Sequence, residues 1–194
     1  LAASLAALIV TASSSAAFAQ SVFDGPYVGA AGGYGYSTLN IDGNAGSLES
    51  SGHGFVGGAF AGYGQTFGDF YIGVEGAVDF SDIQTELDVM GVTMDLNRKA
   101  VLGASARAGF LPSDDVMVHV SAGVTNGYFE GNVSGNGVSL ADNGWQSGYR
   151  LGAGVDKSIS DDAFVRAGLD IDFIDESNVK LTTYTAKAGI GFRF

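Results

Sequence analysis

Tyr184-Thr185-Ala186-Lys187-Ala188-Gly189-Ile190-Gly191-Phe192-Arg193-Phe194 is the stretch on which the fold turns. One parity runs Tyr184, Ala186, Ala188, Ile190, Phe192, Phe194; the other runs Thr185, Lys187, Gly189, Gly191, Arg193. Side chains alternate faces along a strand, so this segment has one apolar face and one polar or bare face. A soluble strand can carry the same pattern. A last strand that ends on Phe194 fits a closed barrel in lipid better, because there the apolar face points at hydrocarbon.

Working back from this strand, the same two-residue period recurs eight times. The candidate strands are about 26–39, 52–67, 70–81, 97–111, 116–128, 145–157, 163–174 and 181–194. Connections alternate in length. Phe67-Gly68-Asp69, Pro112-Ser113-Asp114-Asp115 and Ser160-Asp161-Asp162 are tight, whereas 40–51, 82–96 and 129–144 are long and polar and 175–180 is shorter. An even number of alternating segments, with short turns at one end and longer loops at the other, predicts an all-β, eight-stranded antiparallel up-and-down transmembrane barrel. Pairing strand eight with strand one would remove both sheet edges.

Face assignment supports this. In strand three, Phe70, Ile72, Val74, Gly76, Val78 and Phe80 oppose Tyr71, Gly73, Glu75, Ala77 and Asp79. Aromatics on the apolar faces gather at strand ends. Tyr36, Phe80, Trp145, Phe173 and Tyr184 fall near the loops, and Tyr63, Phe67, Phe70, Phe110, Phe192 and Phe194 near the turns. Two such belts are expected at the two interfaces of a membrane barrel.

The opposite parity collects Lys99, Arg107, Arg150, Arg166, Lys187 and Arg193 with Glu75, Asp79, Asp156, Asp170 and Asp172. Charges in a low-dielectric interior must pair, so a charge network across the lumen is predicted. Folding about the 159–162 turn sets Asp156 opposite Arg166 and Arg150 opposite Asp172; a turn at 111–115 sets His119 opposite Arg107. Eight strands leave an interior only wide enough for side chains, which favours a packed lumen over a pore lining.

At the other end, Leu1–Val10 is apolar and small residues lead to Ala17-Phe18-Ala19. This reads as the core and cleavage site of a signal peptide truncated at its start, residues 1–19, exported by the general secretory route and followed by a barrel domain over residues 20–194. The apolar run is too short to span a bilayer as a helix.

Composition narrows the function. Of 194 residues 31 are Gly, 2 are Pro and none is Cys, which excludes a disulfide scaffold and a thiolate metal site. A net charge of −12 with only 9 scattered basic residues argues against nucleic acid, whose phosphates require clustered Lys and Arg.

Several motifs now resemble a known family. Phe23-Asp24-Gly25-Pro26-Tyr27-Val28-Gly29 resembles the opening of strand one in the small eight-stranded outer-membrane barrels of proteobacteria, the opacity-type, outer-membrane-protein-A-like porin family. Gly57-Gly58 through Ala61-Gly62-Tyr63, followed by Val74-Glu75-Gly76, resembles that family's second hairpin, and Gly152-Ala153-Gly154-Val155 resembles its sixth strand. Gly189-Ile190-Gly191-Phe192-Arg193-Phe194 resembles its terminal assembly signal, in which a final aromatic, here Phe194, is read by the barrel-assembly machinery. The chain departs from the family pattern at Phe60, where strand two usually has a polar inward residue. The resemblance implies an outer-membrane surface protein in contact with lipid and lipopolysaccharide, with structural, adhesive or immune-evasive roles through its loops. It implies no single ligand.

Catalytic signatures are sparse. His53 has Ser50, Ser51 and Glu49 nearby in sequence, but triads are built from spatial neighbours, and no cofactor motif is present. Asp82, Glu86, Asp88 and Asp95 read as a solvated acidic loop, without the ligand spacing of a calcium site. The expectation is a structural and surface-display protein, with a narrow channel for ions or small solutes as the alternative and a lipid-modifying enzyme as a weaker one.

Overall fold

A computed structural model describes residues 21–43, 46–89, 92–135, 138–176 and 179–194, with side chains over 21–39, 50–82, 99–128, 144–174 and 180–194. Eight strands follow one another: β1 Gly25–Gly43, β2 Gly46–Phe67, β3 Phe70–Val89, β4 Val92–Ser113, β5 Val116–Gly135, β6 Val138–Ser158, β7 Ala163–Glu176 and β8 Val179–Arg193. Each pairs antiparallel with the next, and β1 pairs with β8, from Tyr27↔Arg193 to Ile41↔Val179, to close the barrel. The expected signal peptide, residues 1–19, lies outside the described residues.

Alternation sets the two faces. Ile72, Val74 and Phe80 on β3, Leu151 on β6 and Leu169 on β7 are all at least half exposed, while their strand neighbours Tyr71, Asp79, Arg150 and Asp172 are buried. Apolar residues outside and charges inside is the inverse of a soluble protein, and it is the arrangement that hydrocarbon solvates.

The strands outrun the sequence-based boundaries. Segments 40–51, 82–96 and 129–144, expected as loops, are mostly ladder: Gly43 pairs with Gly46, Val89 with Val92 and Gly135 with Val138. Outside lipid a ladder needs no apolar face, because backbone hydrogen bonds hold it irrespective of side-chain pattern.

Two expectations fail at bulges. Lys99, expected in the lumen, is exposed. The pairing steps from Arg98↔Phe129 to Ala100↔Tyr128, leaving Lys99 unpaired across β4–β5, and the β3–β4 register shifts between Phe80 and Ile83. An extra residue in a ladder re-aims the side chains around it. His119 does not face Arg107 either. A shift between Phe110 and Ser113 pairs His119 with Gly109 and Arg107 with Ser121.

The glycines have a specific steric role. A Cβ on Gly29 would lie 2.3 Å from the Phe60 ring, on Gly191 2.3 Å from Phe164, and on Gly64 2.0 Å from the Tyr71 hydroxyl. Bare backbone thus makes room for inward rings. At Gly33 the obstacle is backbone, with Ala186 O only 1.9 Å away across β1–β8. Gly33→Val is expected to prevent closure of that seam. The fraction of chain reaching the heat-modifiable folded form in vesicles should fall sharply, whereas Gly32→Ala, whose Cβ meets nothing nearer than 3.9 Å, should fold normally.

Candidate functional site

The lumen is stacked in layers. Nearest the loop end, Leu39, Ile174 and Leu181 form a small apolar cluster, and the Ser37 and Thr183 hydroxyls lie 2.8 Å apart. Beneath them is a first charge layer. Arg150 on β6 grips Asp172 on β7 with two parallel bonds, Nε to Oδ1 at 2.6 Å and Nη2 to Oδ2 at 2.9 Å, and reaches Asp79 on β3 through Nη1 at 2.9 Å. Lys187 on β8 donates to both oxygens of Asp79 at 3.0 Å and lies 2.8 Å from Asp170 Oδ2.

A second layer centres on Asp156, whose side chain is fully buried. Arg166 donates to it twice, from Nε at 2.8 Å and Nη2 at 2.9 Å; Arg107 Nη2 donates at 3.1 Å, and His119 Nε2 is 3.2 Å away. Glu75 is shared in the same way. Arg166 Nη1 donates to its Oε2 at 2.7 Å, Arg107 Nη1 at 3.0 Å, and the Tyr27 hydroxyl at 2.8 Å. Two carboxylates and two guanidinium groups from β3, β4, β6 and β7 thus form one ring, and the fork of Arg matches carboxylate geometry where Lys would not. His119 and Arg107 meet through Asp156, not across a rung.

Between the layers lies a cavity of about 70 Å³ walled by groups of both.

The floor is aromatic. Tyr27 and Phe164 meet edge to face with centroids 5.9 Å apart, and Phe60 lies 6.2 Å from Tyr27. The Arg166 guanidinium sits 4.3 Å from the Phe60 centroid. Below this, Phe23, from the segment preceding β1, is fully buried against Tyr71 and Met117. Arg193 holds it there: the guanidinium donates to the Phe23 carbonyl and lies 5.0, 5.1 and 4.6 Å from the rings of Phe23, Tyr27 and Phe164. Asp24 completes the attachment, accepting from Thr66 N at 2.6 Å and Ser21 N at 3.1 Å. The N-terminal segment is therefore a stopper in the turn end.

The lumen thus receives Glu75, Asp79, Arg107, His119, Arg150, Asp156, Arg166, Asp170, Asp172 and Lys187, and not Lys99. On the outer face, Tyr36, Phe80, Trp145, Phe173 and Tyr184 are exposed near the loop end and Phe67, Phe70, Phe110, Phe192 and Phe194 near the turn end; Tyr63 is half-buried. Phe55 and Tyr149, exposed by 75% and 71%, also belong to the loop-end belt, and sequence reasoning missed them. It also missed the floor made by Phe23, Tyr27 and Phe164. The available signal was parity: Phe164 precedes Arg166 by two, and Tyr71 precedes Glu75 by four.

His53 lies on the outer face opposite Tyr36, with its ring centroid 5.9 Å from that of Tyr34. Of its neighbours in sequence, Ser51 is exposed and the Glu49 side chain lies outside the described residues. Asp82 is exposed, and the side chains of Glu86, Asp88 and Asp95 also lie outside the described residues.

Comparison with known proteins agrees with this architecture. Solved structures that share the fold include Ail, the attachment invasion locus protein of Yersinia pestis (20% identity, TM-score 0.50, covering 88% of this chain and 99% of that one), Neisserial surface protein A (20%, 0.51, 88% and 98%), and OprG from Pseudomonas aeruginosa (13%, 0.58, 88% and 96%). No curated protein sequence matches the chain. The family model described as outer membrane protein beta-barrel domain matches residues 4–194, and together with the closed eight-stranded barrel this places the chain in the family of outer-membrane β-barrel proteins.

Proposed function

We propose that this outer-membrane protein is a closed, non-catalytic insert whose work is to anchor and display four hairpins at the cell surface. The observation that carries this reading is the filled lumen. Two layers of ion pairs rest on a floor of buried rings, and the free space between the layers is a cavity of about 70 Å³. A barrel built to conduct would leave a polar path past these groups. Above the loop-end belt the β1–β2 hairpin continues from Tyr36↔His53 to Gly43↔Gly46, roughly 15–20 Å of ladder at about 3.3 Å per residue on a tilted strand. Those hairpins would present the surface that host or cell-surface ligands meet. The exposed belts would meet lipid and lipopolysaccharide, and the exposed Phe194 would be read by the barrel-assembly machinery.

The alternative of a narrow channel makes the opposite prediction in planar bilayers. Purified protein is expected to give no discrete openings, and Arg150→Ala to create none, because the aromatic floor lies below that layer. Stable single-channel steps in the native protein would overturn the closed reading. A non-enzymatic role is supported by the surroundings of His53, which packs beside an aromatic ring on the lipid-side face. His53→Ala is expected to leave the lipid composition of the expressing membrane unchanged; a shift in acyl-chain content would favour an enzyme.

A further inference from the structure

The lumen pairs its charges, but the turn end does not. Asp24, Asp69, Asp114, Asp115, Asp161 and Asp162 ring that mouth; Lys157 is exposed near it, and Arg193 is buried beneath it with its guanidinium on the Phe23 carbonyl. Asp24 is engaged by backbone N–H groups and Asp115 by the Ser113 hydroxyl. Among the described residues, no ion pair involves any of the six. A rim with six carboxylates and one exposed lysine projects a net negative field that gathers cations.

Under part of this rim lies a groove of about 1150 Å³ between the β2–β3 turn, the β4–β5 turn and the N-terminal stopper. Val22, Leu111 and Pro112 line it together with Phe67 and Phe110 of the turn-end belt, and Asp24, Asp69 and Asp114 stand along its edge. In the outer-membrane family the short turns face the periplasm. We propose that this groove docks a cationic, amphipathic segment of a periplasmic polypeptide, with an apolar side chain on the apolar lining and Lys or Arg against the carboxylates.

Charge selects this occupant over its rivals. Phospholipid phosphate carries the same sign as the rim and is repelled. The chain's own first twenty residues contain no Lys or Arg, so they offer the carboxylates nothing. A segment with basic and apolar residues interleaved satisfies both parts of the groove.

The test uses the folded protein in phosphatidylcholine nanodiscs and a fluorescent peptide of alternating lysine and leucine, followed by anisotropy. Binding is expected to weaken roughly tenfold or more from low to near-physiological salt, as screening of several surface charges requires. The double variant Asp69→Asn/Asp114→Asn, at exposed turn positions that leave the barrel intact, is expected to weaken it to a comparable degree. Asp82→Asn at the loop end should change nothing. Equal affinity for the double variant, or equal binding of a serine–leucine peptide, would overturn the proposal. So would displacement by magnesium beyond that caused by sodium at the same ionic strength, which would make the rim a divalent-cation site.

Discussion

Asp156→Ala is expected to be the most damaging single substitution in the lumen, lowering the unfolding free energy in lipid by roughly 3–5 kcal/mol. The reason is sharing. The Asp156 carboxylate accepts from Arg166 twice and from Arg107, and lies beside His119. Removing it leaves two buried guanidinium groups competing for Glu75 alone, while desolvation of both continues to cost free energy. Urea titration of the protein in lipid vesicles, read by the heat-modified gel shift, measures the change. Replacing the partners as well sharpens the argument. Asp156→Leu with Arg166→Met removes charge and counter-charge together, and should recover much of the loss. Lys99→Ala, at an exposed bulge, should change stability by no more than about 0.5 kcal/mol. If Asp156→Ala matched Lys99→Ala, the ion-pair ring would be incidental to the fold.

Phe23→Ala is expected to cost about 3–5 kcal/mol, the range for emptying a fully buried aromatic site. The effect should be mainly on unfolding, because Phe23 joins the two ends of the chain. Its ring packs on Tyr71 and Met117, and its carbonyl accepts from Arg193 on β8. Phe194 N donates to Pro26 O at 3.1 Å beside it, so the stopper sits on the β1–β8 seam that closes the barrel. Faster unfolding in urea jumps, with little change in refolding rate, is the expected signature. Arg193→Met should cost less than Phe23→Ala. Two of the three Arg193 nitrogens, Nε and Nη2, find no partner among the described residues, so the charge gives little back while the methionine keeps the packing. The opposite order would mean that the guanidinium, and not the ring, holds the turn end shut.

The contrast between the Arg150–Asp172 and Arg107–His119 expectations shows what a linear reading can reach. Both came from the same rule, that residues equidistant from a turn face each other. The rule works where the hairpin is regular: β6–β7 pairs Arg150 with Asp172 and Asp156 with Arg166. It fails at β4–β5 because an irregularity between Phe110 and Ser113 moves the register. Nothing in Leu111-Pro112 reveals how many residues such an irregularity absorbs. Lys99 fails for the same reason at the irregularity between Arg98 and Ala100 within β4. The hairpin ladders beyond the girdle were missed for a different reason. Gly, Ser, Asn and Asp in 40–51 and 129–144 mask the period there, whereas Ile83, Leu87, Val89, Val92, Met94 and Leu96 do continue an alternation through 82–96 that the reading of a polar loop passed over.

The alternating faces, the eight segments, the aromatic belts and the sign of the inward residues follow from local order along the chain, because a strand's two-residue period writes its environment directly into neighbouring positions. Which charges share a carboxylate could only be decided in three dimensions. Asp156, Glu75, Arg107 and Arg166 come from four strands, and Phe23 reaches Arg193 across 170 residues of sequence. Closure of the barrel brings these groups within hydrogen-bond reach, and closure is a property of the whole sheet that no single strand encodes.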